Sequence, residues 1–255
     1  MITRTVEAKN RSRSGDGAGP RGAISGARSA SGPAPWQRLL RGAVRSLDEL
    51  LDAVDLTAAD LEDAGHGVDP AAAASFALRV PRGFVDRMRR GDPRDPLLLQ
   101  VLPTARELVA VPGWVAEPLE ESDFSPVDGL LHKYSGRALL VVTGACAVHC
   151  RYCFRRHFPY GEHVADLGPA LEQLRADPTI REVLLSGGDP LSLSDKKLAQ
   201  LVAELEAIPH VERLRIHTRL PAVLPERVDG ALIGWLSRSR LQKVVVLHVN
   251  HPREV

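Results

Sequence analysis

The chain has 255 residues, 44% of them hydrophobic and 25% charged, with a net charge of +1. Such a composition belongs to a folded globular protein, one large domain with or without a smaller N-terminal one, and excludes a disordered chain. A charge so near zero supplies no field that would make nucleic acid or a membrane surface the main partner, and no apolar run approaches the ~20 residues of a membrane span.

Residues 1–35 are rich in Gly, Ser, Ala, Arg and Pro, with six basic residues against two acidic ones. They bury too little apolar surface to offset their ordering entropy, so a disordered tail is expected. The start, MITRTVEAKNRSRSG, lacks the apolar core of a secretory signal. From Trp36 to about residue 110 the pattern is helical. Ser46 with Glu49 reads as a capping box, followed by a stripe of Leu47, Leu50, Leu51 and Val54. Thr57 with Asp60 marks a second helix start, Gly65 a stop, and Pro70 the first turn of a third helix. The Gly/Pro-punctuated run from Val80 to Pro103 reads as helix, turn, helix. This N-terminal helical region, 36–110, is expected to serve as a lid or a partner-binding surface.

Beyond it, 111–255, the rhythm changes. Residues 137–143, 181–186, 211–218 and 243–249 are short β-branched runs, apolar enough to suit strands buried on both faces. Helical segments at about 168–176, 194–207 and 229–238 separate them. Strand–helix alternation of this kind calls for parallel strands with right-handed crossovers, and for chemistry in the loops after the strands' C-terminal ends. Those loops hold the cysteines, SGGDPL, HTRLP and NHP, all at one end of the sheet.

The only cysteines are Cys146, Cys150 and Cys153, in GACAVHCRYC. Three cannot close a disulfide framework, and their clustering without an export signal points to a reducing, cytoplasmic setting; a basic, serine-rich start leaves an organelle transit peptide open. C-x3-C-x2-C in one loop gathers three soft thiolates, which select zinc, copper(I) or iron–sulfur. A closed zinc site would recruit His149 or His157 as fourth ligand. An iron–sulfur cube held by three cysteines leaves one iron open to a small molecule. The position after a buried strand, beside a glycine-rich loop, favours the cube. In that loop Gly187 and Gly188 are expected to let backbone approach a ligand, between Ser186 and Asp189.

C-x3-C-x2-C with Tyr152 before the last cysteine resembles the signature of radical S-adenosylmethionine (SAM) enzymes, and SGGDPL resembles their second element. More narrowly, LLHKYSGRALLVVTGACAVHCRYCFRRHFPY, LLSGGDPL, RLRIHTRLPAVLPERV and HVNHPREV resemble the lysine 2,3-aminomutase family. FALRVPRGFVDRM and GLLHKY resemble its branch that makes (R)-β-lysine for elongation factor P. The resemblance runs from about residue 36 to 255. It implies an α/β fold, a partial (β/α) barrel truncated after about four strands. It implies a [4Fe–4S] cluster on Cys146, Cys150 and Cys153, and SAM chelating the free iron near Ser186, Gly187, Gly188 and Asp189.

The resemblance further implies pyridoxal 5′-phosphate beside Tyr134 and Arg137, and Arg155 on the substrate carboxylate. It implies lysine as substrate, a flavodoxin or ferredoxin as electron donor, possible homo-oligomers, and neither nucleic acid nor membrane as partner. Arg156, His157, His217, Arg219, His248, Asn250 and His251 carry no assigned role. The family's cofactor lysine and the acids that recognise the ε-amine have no counterpart here. The five lysines are Lys9, Lys133, Lys196, Lys197 and Lys243, and only Lys133 falls near the phosphate. The 255 residues are therefore expected to bind a cluster yet turn over lysine poorly. An aminomutase of glutamate or another amino acid, and a non-catalytic zinc module, are the competing readings.

Overall fold

The structure is a computed structural model and describes residues 32–160 and 166–255. All but the end of the 1–35 tail lies outside the described residues. Its last two residues already belong to structure: Ala34 caps a helix that starts at Pro35.

Five short helices open the described chain: α1 (Pro35–Arg41), α2 (Leu47–Ala53), α3 (Ala58–Asp63), α4 (Pro70–Ser75) and α5 (Arg82–Val85). The Thr57–Asp60 capping box before α3 is reciprocal, as expected. The box before α2 is only half formed. Ser46 Oγ accepts from Glu49 N at 3.1 Å, but the Glu49 carboxylate takes Arg45 N instead and pairs with Arg82. Asp69 caps α4, with Pro70 at its first position. The expected helix–turn–helix after Val80 shrinks to α5 and a single 3-10 turn, Leu98–Gln100. Gly91, Pro93 and Pro96 interrupt what lies between.

The sheet carries the rest. Strand β1 (Leu130–Tyr134) runs antiparallel to β2 (Arg137–Thr143). Strands β3 (Glu182–Gly187), β4 (Arg213–Thr218) and β5 (Gln242–Leu247) then follow in parallel, in the order β1-β2-β3-β4-β5. Helices α6 (Gly168–Ala176), α7 (Asp195–Glu206) and α9 (Gly230–Arg238) are the crossovers, with the short α8 (Leu220–Val223) after β4. The four parallel strands stand where the sequence places them; β1 is an addition.

Burial on both faces holds for β2 and β3 but not beyond. In β4, Leu214, Ile216 and Thr218 are buried while Arg213, Arg215 and His217 are not, a period of two. Strand β5 has no buried residue, with Gln242, Lys243 and Leu247 exposed and its three valines half-buried, and it pairs only with β4 among the described residues.

One apolar cluster runs through the molecule, from Trp36, Leu50 and Phe84 in the helices to Leu140, Leu185 and Ile216 in the strands. Arg227 sits at its seam, fully buried. Its guanidinium lies 4.6 Å from the Trp36 ring, donates to Leu191 O at 2.8 Å and pairs with Asp195 at 2.8 Å. The helical region is thus built into the body of the fold rather than hinged on it. No helix among the described residues is long and apolar enough to cross a membrane.

Candidate active site

A cavity of about 710 Å³ opens at the C-terminal ends of the strands. Its wall brings together Cys146, Cys150 and Cys153, the loop Ser186–Asp189, and Tyr134, Arg137 and Arg155. His217, Arg219 and His248 join them there. Arg156 turns away instead, to Glu107 and Ser75. His251 caps the final 3-10 turn, Pro252–Glu254.

The cysteine loop is held from below. Arg151 donates twice to Glu107, through Nε at 2.9 Å and through its terminal nitrogen at 2.5 Å, and reaches the carbonyls of Ala72 and Phe76. His149 Nδ1 meets Ala77 O at 2.7 Å and its ring stacks on Phe76. That imidazole is committed to α4 and the segment after it. No three His, Cys, Asp or Glu side chains among the described residues are grouped as ligands of a single metal ion.

Two of the thiols, Cys146 and Cys153, resist ionisation. Burial pushes Cys146 up, and the neighbouring Asp189, Cys150 and Cys153 push it further, against Arg79. Burial also raises Cys153. A multinuclear metal centre supplies the positive charge that such a crowd of sulfurs lacks, because coordination removes the thiol proton outright. Three half-buried sulfurs on one cavity wall fit a cluster ligated at three corners.

The β3 loop is zipped to the cysteine loop. Gly188 N donates to Thr143 O at 2.7 Å and Asp189 N to Ala145 O at 2.8 Å. A Cβ on Gly187, at φ +117°, would sit 2.5 Å from Thr143 O, and one on Gly188 would run into the Ala145 carbonyl. Glycine is therefore required first for this close approach of two backbones, a different reason from the ligand approach expected.

Asp189 also differs from expectation. Its carboxylate is buried and takes four donors: Leu191 N, Thr218 Oγ1, Arg219 N and Leu220 N, at 2.7–3.0 Å. Burial pushes its carboxyl up, against those four bonds. Asp189 ties the β3 loop to the β4 loop and has no oxygen to spare for a ligand.

Arg155 is buried and almost saturated. Nε and one terminal nitrogen grip Glu121 bidentately at 2.8 and 2.7 Å. The other nitrogen donates to Ser186 Oγ at 2.8 Å and Gly187 O at 3.2 Å. At the far side of the cavity the Arg137 guanidinium stacks over the Tyr134 ring at 4.8 Å and donates no hydrogen bond to the described residues. An anionic group fits there. Lys133 points beside it, over Phe124 and onto Leu119 O.

Sequence reasoning missed Glu121 and Gln100, which lie in segments with no periodicity, and Glu254, three residues past the last quoted histidine. It left Arg219 without a role, though Arg219 proves central. Its guanidinium donates to Cys150 Sγ at 2.7 Å, to the Tyr152 hydroxyl, to Gln100 Oε1 at 2.5 Å and to Glu254 at 3.2 Å.

The parallel strands place three cysteines and a glycine loop at one mouth, and residues 140–233 match the Radical SAM superfamily model. Over a longer stretch that includes this segment, the chain is similar to proteins named L-lysine 2,3-aminomutase. It is 50% identical to that of Escherichia coli and 45% identical to that of Haemophilus influenzae, each over 223 residues. It is 34% identical to that of Clostridium subterminale over 224 residues. These alignments cover 86% of the chain but 64%, 64% and 52% of the relatives, so the chain spans less than two thirds of their length.

Proposed function

We propose that the 255 residues form the greater part of a radical SAM aminomutase that converts L-α-lysine to β-lysine, for the modification of elongation factor P, in the cytoplasm. The observation that carries the reading is the shared cavity. Cys146, Cys150 and Cys153 line one cavity with the Ser186–Asp189 loop, Tyr134, Arg137 and Arg155.

The three cysteines would hold a [4Fe–4S] cluster, Ser186, Gly187 and Gly188 would line the SAM site, and Arg137 with Tyr134 would take the phosphate end of pyridoxal phosphate. Bound together, these groups supply a carbon-centred radical and a ring that delocalises an unpaired electron. The protein's own part is position and dryness. Arg155 orients the substrate carboxylate through its planar fork, which requires Glu121 to yield it. Asp189 fixes the β3 and β4 loops in one geometry through its four bonds. Leu131, buried, lines the apolar side of the cavity. The electron donor is a low-potential carrier of the flavodoxin or ferredoxin class.

Anaerobic reconstitution with iron and sulfide tests this. The chain should turn brown and carry both elements, cleave SAM under dithionite, and lose colour and cleavage when Cys146, Cys150 or Cys153 becomes alanine. Zinc without sulfide in the wild-type protein, or undiminished SAM cleavage by the alanine variants, would overturn it.

A further inference from the structure

A buried cation stands against one of the cysteines, and the proposed cluster does not by itself account for it. Arg219 is 6% exposed and Glu254 is fully buried. The guanidinium lies between the rings of Phe84 and Tyr152, 5.6 and 5.7 Å from their centroids. One terminal nitrogen donates to Cys150 Sγ at 2.7 Å and to the Tyr152 hydroxyl. The other donates to Gln100 Oε1 at 2.5 Å and to Glu254 Oε1 at 3.2 Å. Glu254 is fixed in turn by Gln100 Nε2 at 2.8 Å and by Asn250 N at 3.4 Å.

Burying an ion pair is costly, and apolar residues of similar volume would pack this space at least as well. What apolar residues cannot do is place a hydrogen-bonding cation on a thiolate. We propose that Arg219 is a positioning residue that raises the reduction potential of the metal centre held by Cys146, Cys150 and Cys153, acting through Cys150 Sγ, with Glu254 as its fixed counter-charge. The inference rests on the cluster reading above.

The sign follows from charge. One electron from a low-potential donor, dithionite in the test, takes [4Fe–4S]²⁺ to [4Fe–4S]¹⁺; dithionite is oxidised, and no bond or proton changes hands at the protein. The reduced cluster carries one more negative charge, spread onto its thiolates. A guanidinium hydrogen-bonded to one of them stabilises the reduced form more than the oxidised form. Glu254 opposes this and sets how far the shift goes.

The test is an anaerobic redox titration of the reconstituted chain, followed by the electron paramagnetic resonance of the reduced cluster, with iron and sulfide assayed per chain. R219Q should keep wild-type iron and sulfide but show a more negative midpoint, so that less of it is reduced at a given poise. R219K should shift the same way by less, and E254Q the opposite way. An unchanged R219Q midpoint with the cluster intact would overturn the proposal. Loss of iron from folded R219Q would also overturn it, assigning Arg219 to assembly. If R219Q fails to fold, R219K and E254Q decide: opposite shifts support the proposal, and equal or absent shifts sink it. A wild-type chain that takes up no sulfide fails one step earlier, at the cluster reading.

Discussion

The most informative residue pair is Arg155 and Glu121. A guanidinium has five N–H groups, and four of Arg155's are engaged, two by Glu121 alone. A substrate carboxylate therefore competes with a carboxylate already in the fork. Removing that competitor's charge should strengthen binding of free lysine by about tenfold, the scale of one charge-assisted hydrogen bond. Calorimetry on reconstituted Glu121→Gln checks it; weaker binding would mean that Glu121 aims Arg155 rather than blocks it. Glycine gives a second prediction. Gly187→Ala combines a positive φ with a collision at Thr143 O, so it should cost at least ~2 kcal/mol, measured by thermal melting.

The cysteines and the glycine pair stand out in the sequence as short motifs and Arg155 through the family resemblance, and the fold brings all of them to one cavity. The roles of Asp189 and Arg219 were not legible there, because each depends on a partner 29 or more residues away. Thr218 meets Asp189 across that gap, and Cys150 meets Arg219 across 69 positions.

Among elements, the cysteine loop depends on a segment far outside it. Glu107 sits in a short 3-10 turn and holds Arg151 and Arg156. Burial pushes its carboxyl up, but hydrogen bonds from Arg151, Thr104 N and Arg156 outweigh this and hold it below the usual range. A depressed carboxyl contributes its stability in full above the unfolded-state pKa of about 4.3, and loses it as pH falls through the lower folded value. Stability should therefore drop on acidification below about pH 4.3, and Glu107→Gln should flatten that part of the curve. At neutral pH the same variant should cost about 3–5 kcal/mol, since it leaves two buried guanidinium groups without their anion. Chemical denaturation at several pH values measures both. Parallel strands and crossover helices could be read from the sequence because their apolar periods are strong. Strand β1 could not, because its residues Leu130–Tyr134 mix two buried leucines with His132, Lys133 and an exposed Tyr134.

At the scale of the whole molecule, helices and sheet share one core, so they should melt together. Trp36, 1% exposed, is the test: Trp36→Ala should cost about 3–5 kcal/mol and speed hydrogen exchange in α1, α2 and the β2–β4 amides alike. Faster exchange confined to α1 and α2 would show two independent units. The helical region, expected as a lid or a partner-binding surface, also supports the cysteine loop, through Arg151 and His149.

Strand β5 has a practical consequence. Its outer backbone amides and carbonyls meet no neighbouring strand among the described residues, and Val244, Val245 and Val246 are only half covered. Such a rim is a template on which another chain can build. A solution of these 255 residues should therefore cloud faster as it is concentrated, with a rate that climbs more steeply than protein concentration itself. A single lysine in place of Val245 should clear it.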